Sequence, residues 1–151
     1  MVKLEQPFKM DEIKVLYTEA VELLKQLIAI PSFSKEEYGT AACIASFLKK
    51  KQIPFQQQGN NIWASNLHFD INKPTILLNS HHDTVKPNSG YQLNPFDPIV
   101  KEEKLFGLGS NDAGGCLVSL LACFVHYYHK PNLNYNLVIA ATAEEEISGK
   151  N

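Results

Sequence analysis

Thr75-Ile76-Leu77-Leu78-Asn79-Ser80 runs straight into His81-His82-Asp83, and Asn136-Leu137-Val138-Ile139-Ala140-Ala141-Thr142-Ala143 runs straight into Glu144-Glu145-Glu146. Each run is apolar and of strand length, the pattern of a strand covered on both faces of a sheet. Each ends in side chains that bind cations or move protons. A third such point is Asp112, which follows Gly107-Leu108-Gly109-Ser110-Asn111. In open α/β sheets ligands gather beyond the carboxyl ends of the strands. An imidazole and several carboxylates arriving there together are the donor set of a zinc site, and a spare carboxylate is the chemistry of a general base.

Helical periodicity surrounds these strands. Asp11 is placed to cap a first helix, in which Ile13, Leu16, Tyr17, Ala20, Leu24, Leu27 and Ile28 recur at helical spacing through Ile30, before Pro31. Ser34-Lys35-Glu36-Glu37 has the capping-box pattern, Ser34 as N-cap and Glu37 reaching back. The helix it opens runs to about Lys50, with Tyr38, Ala41, Ala45 and Leu48 on one face. Phe55 to Gln58 reads as a short edge strand, Gly59-Asn60 as a turn and Asn61 to Leu67 as a strand. Thr84 to Lys104 is long, polar and proline-bearing, with a short strand pair expected within Pro98 to Leu105. Loops of that length inside compact domains are usually functional. A third helix is expected from Asp112 or Ala113 to about His129, apolar at Leu117, Leu120, Leu121 and Phe124. Alternation of helices with apolar strands predicts an α/β fold, with a mostly parallel or mixed central sheet flanked by helices.

Composition narrows the function. A chain of 151 residues, 44% hydrophobic and 20% charged, can build one domain with a real core. A net charge of −2 argues against nucleic-acid or anionic-membrane partners, which need clustered Lys and Arg. The basic run Lys49-Lys50-Lys51 falls at a helix end, where the macrodipole favours cations. No signal peptide is visible, and Cys116 to Val125 is too short to cross a bilayer, so a cytoplasmic location is expected. Cys116 and Cys123 share a helix, with Cα atoms about 10 Å apart at 1.5 Å per residue, too far for a disulfide. With Cys43 remote, three reduced thiols packed as small apolar groups are expected.

Each chemical motif has a bland alternative. His81 and Asp83 share one face of an extended backbone, which would let the carboxylate orient a metal-bound imidazole, yet a histidine at a strand end is commonly structural. His82 points the other way and reads as a bystander. Asp112 suits a helix N-cap, although its two oxygens could also bridge two cations. Gly114 and Gly115 cost helix propensity and leave room for another segment to approach. Glu144-Glu145-Glu146 could be a solvated acidic loop, although a divalent cation compensates the repulsion better. His126 and His129 sit in the last helical turn and read as surface groups. There is no H-E-x-x-H, G-x-S-x-G or Walker loop, and Gly107-Leu108-Gly109 lacks the third glycine of a dinucleotide fingerprint.

Taken together, His81-His82-Asp83-Thr84-Val85, Gly107-Leu108-Gly109-Ser110-Asn111-Asp112 and Thr142-Ala143-Glu144-Glu145-Glu146 resemble the signatures of the di-zinc acyl-amino-acid hydrolases and peptidases. That family includes acetylornithine deacetylase, succinyl-diaminopimelate desuccinylase, aminoacylase and the glutamate carboxypeptidases. Leu27-Ile28-Ala29-Ile30-Pro31-Ser32 and Asn94-Pro95-Phe96 resemble its flanking sequence. The resemblance implies a zinc-exopeptidase-like catalytic domain with two zinc ions, cobalt or manganese being alternatives. It implies that His81 binds one zinc, Asp112 bridges both, Glu146 binds the second, Glu145 is the general base and Asp83 orients His81. Glu144 stands where the family commonly has Asp. If Glu144 and Glu145 were the pair instead, the roles would shift by one residue. Gly114 departs from the family, which often has Lys there.

The family takes another carboxylate and another histidine from later sequence. Residues 1–151 are therefore expected to be the N-terminal part of the catalytic domain, with its remainder and the dimerisation domain absent. Such a chain is not expected to catalyse alone, and the full-length protein is expected to be a homodimer. The resemblance favours cleavage of an N-acyl amino acid, nearest to acetylornithine deacetylase. A dipeptidase or aminopeptidase of the same family is the alternative, separable by comparing substrates. A non-catalytic α/β module with a solvated or weakly cation-binding acidic surface is the third reading; a missing late His in the remaining sequence would favour it, and a late His with an intervening carboxylate would favour the enzyme.

Overall fold

The computed structural model describes residues 10–148. The stretch before Met10, and Gly149-Lys150-Asn151, lie outside the described residues. Three helices, α1 (Met10–Ile28), α2 (Tyr38–Lys50) and α3 (Cys116–Tyr127), accompany β1 (Gln56–Gln58), β2 (Asn61–Ser65), β3 (Thr75–His81), β4 (Ile99–Lys101), β5 (Lys104–Phe106) and β6 (Asn136–Thr142). The main sheet has the order β1-β2-β6-β3. β1, β2 and β6 pair antiparallel, and β3 runs parallel to β6 in a register that sets Thr75 against Asn136 and His81 against Thr142. It is thus the mixed sheet with flanking helices that the strand and helix patterns predict. β4 and β5 form the expected hairpin in the long loop.

The parallel pair decides where chemistry can occur. Because β3 and β6 point the same way and end level, whatever follows His81 and Thr142 emerges at one rim of the sheet. The chain between them returns through the β4–β5 hairpin and α3, the crossover that parallel strands require.

The core lies on one face of the sheet. Leu23, Leu24, Leu27 and Ile28 of α1, Ala41, Ile44 and Leu48 of α2, and Leu117, Leu121 and Phe124 of α3 pack on Ile62, Ala64, Leu137, Ile139 and Ala141. This corrects several expectations. Ile13 and Tyr17 on α1 and Tyr38 on α2 are exposed, because only the last turns of α1 reach the core and α2 buries the face carrying Thr40 and Ile44. β3 is not a buried strand. It lies at the sheet edge, with Ile76 44% and Leu77 59% exposed. Nor is β6 covered on both faces. Leu137, Ile139 and Ala141 are buried, while Val138 and Ala140 on the opposite face are half-buried.

The helix starts also differ. Asp11 lies inside the first turn of α1 rather than capping it. Ser34 is not the N-cap of α2; Glu37 holds that position and makes no side-chain cap bond, because both side chains are engaged elsewhere. α3 begins at Cys116, so Asp112 is not its cap. Asp112 has extended torsions (φ −109°, ψ 100°) inside an irregular coil, Ser110–Gly115. All three cysteines are free as expected, but Cys116 and Cys123 are exposed rather than packed. Lys49 and Lys50 end α2, and Lys51 pairs with Glu19 of α1 at 2.5 Å.

Candidate metal centre

His81 is the last residue of β3, buried between the sheet rim and the acidic turn after β6. Its Nδ1–H donates to the carbonyl of Asp83 (3.1 Å) and lies 3.3 Å from Asp83 Oδ1. That bond selects the tautomer that leaves Nε2 facing outward. Nε2 lies 3.1 Å from Asp112 Oδ1 and 3.7 Å from Glu145 Oε2. Ligand atoms of His81, Glu145 and Glu146 all fall within 4.8 Å of one another. All five residues singled out in the sequence (His81, Asp83, Asp112, Glu145 and Glu146) are therefore brought together, from three segments of chain. Glu145 and Glu146 reach the same spot, and the division of roles between them comes from the resemblance, not from the distances.

Electrostatics follow from crowding. Burial works against charging His81, but the hydrogen bonds to Asp112 and to Asp83, and the charges of Asp83 and Glu145, outweigh it and raise its pKa. Burial, with the neighbouring charges of Asp112, Glu145 and Asp83, raises that of Glu146 despite His81. Burial likewise opposes charge on Asp83, but hydrogen bonds from Ser34, Glu146 and Glu145, and the charge of His81, more than offset it and hold Asp83 ionised below its usual range. Four carboxylates thus surround one imidazole.

Hard carboxylate oxygens and a borderline imidazole nitrogen suit zinc, cobalt or manganese, and a metal ion neutralises what His81 alone cannot. The donor set fits a divalent cation. Asp112 is mostly exposed, so the centre opens outward. A groove of about 770 Å³ reaches Asn111, the residue before Asp112, and is lined also by Tyr91, Leu93, Lys104 and Phe106 among others.

Asp83 does more than the H-x-D spacing implies. It has no exposed surface, and its carboxylate accepts Ser34 Oγ–H (2.7 Å), Glu145 N–H (3.1 Å) and Glu146 N–H (3.1 Å). It therefore fixes the imidazole and the acidic turn together. Ser34, a helix cap by its local sequence pattern, is instead a participant through this bond, and its local sequence carries no signal of that. His82 does turn away from the centre, as expected, but it is no bystander. Its Nε2–H donates to the Asn60 carbonyl (3.0 Å) and its Nδ1 pairs with the Thr40 hydroxyl (2.8 Å). Burial lowers its pKa despite the nearby Asn60 bond and carboxylates, which keeps it a neutral strut. His126 and His129 lie on the far end of α3 against Tyr127 and Tyr128.

The chain is similar to known proteins in sequence and in fold. Residues 77–151 match the profile of Peptidase family M20/M25/M40. Two similar curated proteins are succinyl-diaminopimelate desuccinylases. That of Blochmanniella floridana is 28% identical over 142 residues, covering 89% of this chain and 37% of the relative. That of Buchnera aphidicola (subspecies Cinara cedri) is 30% identical over 146 residues, covering 90% and 37%. The chain thus spans little more than a third of the length of these relatives. Among solved structures, a di-peptidase of Saccharomyces cerevisiae superposes with a TM-score of 0.67 at 22% identity, covering 90% of this chain and 34% of that one. A dinuclear metal-binding peptidase of Bacillus subtilis also gives 0.67, at 18% identity, covering 90% and 38%. At such identities the superpositions establish the fold.

Proposed function

We propose, from the premise that residues 77–151 are a segment of the Peptidase family M20/M25/M40 domain, that the protein is a metal-dependent amidohydrolase. The observation that carries this reading is the meeting of His81, Asp112, Glu145 and Glu146 at one rim of the sheet, negative charge exceeding what one imidazole can balance. Residues 1–151 would form the N-terminal part of the catalytic domain, with the full-length protein a homodimer. His81 and Asp112 would hold one zinc ion, Asp112 and Glu146 a second. Bound there, the ions would supply Lewis acidity, polarising an amide carbonyl and lowering the pKa of a water to about 7.

The chain's own residues do the rest. Asp83 holds His81 in one tautomer and one rotation. Glu145, more exposed than Glu146 and within reach of the same point, takes a proton from the attacking water and returns it to the departing amine nitrogen. The open side beside Asp112 and the adjoining groove admit the substrate.

The substrate class is an N-acyl amino acid. Acetylornithine is the finer reading from the sequence motifs, and the curated relatives, named desuccinylases, favour testing succinylated diamino acids beside it. A dipeptide is the second reading, kept open by the match of residues 77–151 to a peptidase family.

In the full-length protein, Glu145→Ala is expected to keep its zinc and lose turnover by about 10²–10⁴-fold, the range for a general base. His81→Ala should lose zinc by elemental analysis. Unchanged turnover in Glu145→Ala would refute its role. Hydrolysis rates for acetylornithine, acetylcitrulline, succinylated diamino acids and dipeptides then assign the substrate.

A further inference from the structure

Glu37 is a carboxylate with no exposed surface, one residue ahead of α2. A buried carboxylate persists only where donors surround it. Three do so here: Lys35 N–H to Oε1 (2.7 Å), Asn60 Nδ2–H to Oε2 (2.8 Å) and Glu144 N–H to Oε1 (3.2 Å). The first two belong to loops beside α2 and β1. The third comes from the opposite end of the chain and meets the backbone where β6 turns into the acidic triplet.

That turn is unusual. Glu144 occupies the left-handed region (φ 61°, ψ 24°), which a side chain other than glycine adopts at a cost. Its neighbours are held on both sides. Ala143 N–H donates to Asn61 Oδ1 (2.9 Å), and the N–H groups of Glu145 and Glu146 donate to the two oxygens of Asp83. Four successive N–H groups, from residues 143 to 146, are therefore each held by a side chain remote in sequence. Glu37 supplies the one at the left-handed residue.

We infer that Glu37 is a positioning residue: its buried carboxylate holds the Glu144 N–H in the turn that aims Glu145 and Glu146 at His81. The inference rests on the reading of that pair as general base and metal ligand. Glu37 reaches that pair through the Glu144 backbone, while its bonds to Lys35 and Asn60 tie it to the loops beside α2 and β1.

The test uses the full-length protein. Glu37→Met fills the volume without acceptors. Glu37→Gln keeps Oε1 for Lys35 and Glu144, while its amide meets Asn60, whose own amide can turn over to accept it. Glu36→Gln alters the exposed neighbour as a control. In Glu37→Met, amide exchange at residues 144–146 should quicken by about tenfold or more, with α1 and α3 unchanged, as expected of a local opening. Zinc affinity should fall by about 10–100-fold, the effect of losing a partner that orients ligands. The loss should appear in kcat, with KM within about twofold. Glu37→Gln should recover all three.

Wild-type exchange at residues 144–146 in Glu37→Met would overturn the proposal. So would faster exchange throughout the domain with unchanged zinc affinity, the mark of a merely structural role. Should Glu37→Met fail to fold, Glu37→Asp keeps the charge and withdraws the acceptor by one methylene. It must show the same local quickening, and wild-type exchange there would overturn the clamp. If the unmodified protein binds no zinc, the metal reading fails by itself, and the exchange pattern alone decides on Glu37.

Discussion

Asp83 ties the end of β3 to Ser34, 49 residues earlier, and to the acidic turn that begins 62 residues later, and its loss should be costly for that reason. Asp83→Ala leaves the Glu145 and Glu146 N–H groups and the Ser34 hydroxyl without their acceptor. At about 1–3 kcal/mol for each unsatisfied buried donor, urea unfolding of the metal-free protein should show a loss of roughly 3 kcal/mol or more. Asp83→Asn should recover at most part of it, because an amide oxygen can replace only one of the two acceptor atoms. A loss below about 1 kcal/mol would mean these bonds exchange freely with water. Ser34→Ala, removing one donor to a charged group, should cost about 1.5–3 kcal/mol. The H-x-D spacing made the His81–Asp83 relation legible, because two residues of an extended strand must share a face. It could not reveal Ser34 as a partner of Asp83 or Glu37 as a partner of the acidic turn. Their spacing is equally good for a capping box, and only the tertiary arrangement offers both side chains stronger partners than the helix start. A separate residue-level expectation concerns Cys43. Burial raises its thiol pKa, so at a given pH below that value it carries less thiolate than the same thiol in the unfolded chain. Since thiolate is the nucleophile, its alkylation rate in the folded protein should rise with pH along a curve displaced to higher pH than in urea. Coincident curves would contradict the burial.

Among the elements, the irregular segment Ser110–Gly115 departs furthest from expectation and explains the two glycines that follow Asp112. A continuous helix from Asp112 would have given that residue helical torsions. Instead the chain is extended at Asp112 and enters α3 only at Cys116, which sets Asp112 against His81. The coil is tight. Gly114 N–H donates to Gly109 O at 2.8 Å, and a Cβ on Gly114 would stand 2.6 Å from that oxygen and 2.7 Å from Leu24 Cδ1. The close approach expected of these glycines is thus real, and it bears on the departure from the family, since a lysine there could not fit this backbone without moving it. Gly114→Ala is expected to destabilise by about 1–3 kcal/mol, the usual range for overpacking, measured by thermal unfolding. It should also weaken zinc binding, because the shift falls two residues from Asp112. Neutral behaviour in both assays would show that the coil yields. The helices and strands themselves were mostly legible from period and punctuation. Their ends were not, since a cap such as Ser34 or Asp112 satisfies local rules equally well when its side chain is committed elsewhere.

For the molecule as a whole, the alternation of helices with apolar runs was enough for an α/β fold with a mostly parallel or mixed sheet, whereas the pairing of β3 with β6 and their level ends are set by the observed register. Hydrophobicity alone could not show which faces of those strands are covered. Leu77, Val138, Ala140 and Trp63 line the face away from the three helices, and nothing among the described residues packs over it as a layer. β3 also has β6 on one side only, so its other edge presents unpaired backbone groups flanked by Ile76 and Leu77. A bare edge with exposed aliphatic side chains is a template for pairing with another strand. The 151-residue chain, studied by itself, should therefore associate with copies of itself through β3 as its concentration rises, as sedimentation or light scattering would detect. Leu77→Lys places a charge on that edge strand where the wild-type side chain is already mostly in water. It should suppress association while shifting unfolding by no more than about 0.5 kcal/mol, as for an ordinary surface substitution. Equal association by the two proteins would place the sticky surface elsewhere. No association by either would mean that the open edge is sufficiently protected by its own twist and by the polar residues around Asn79.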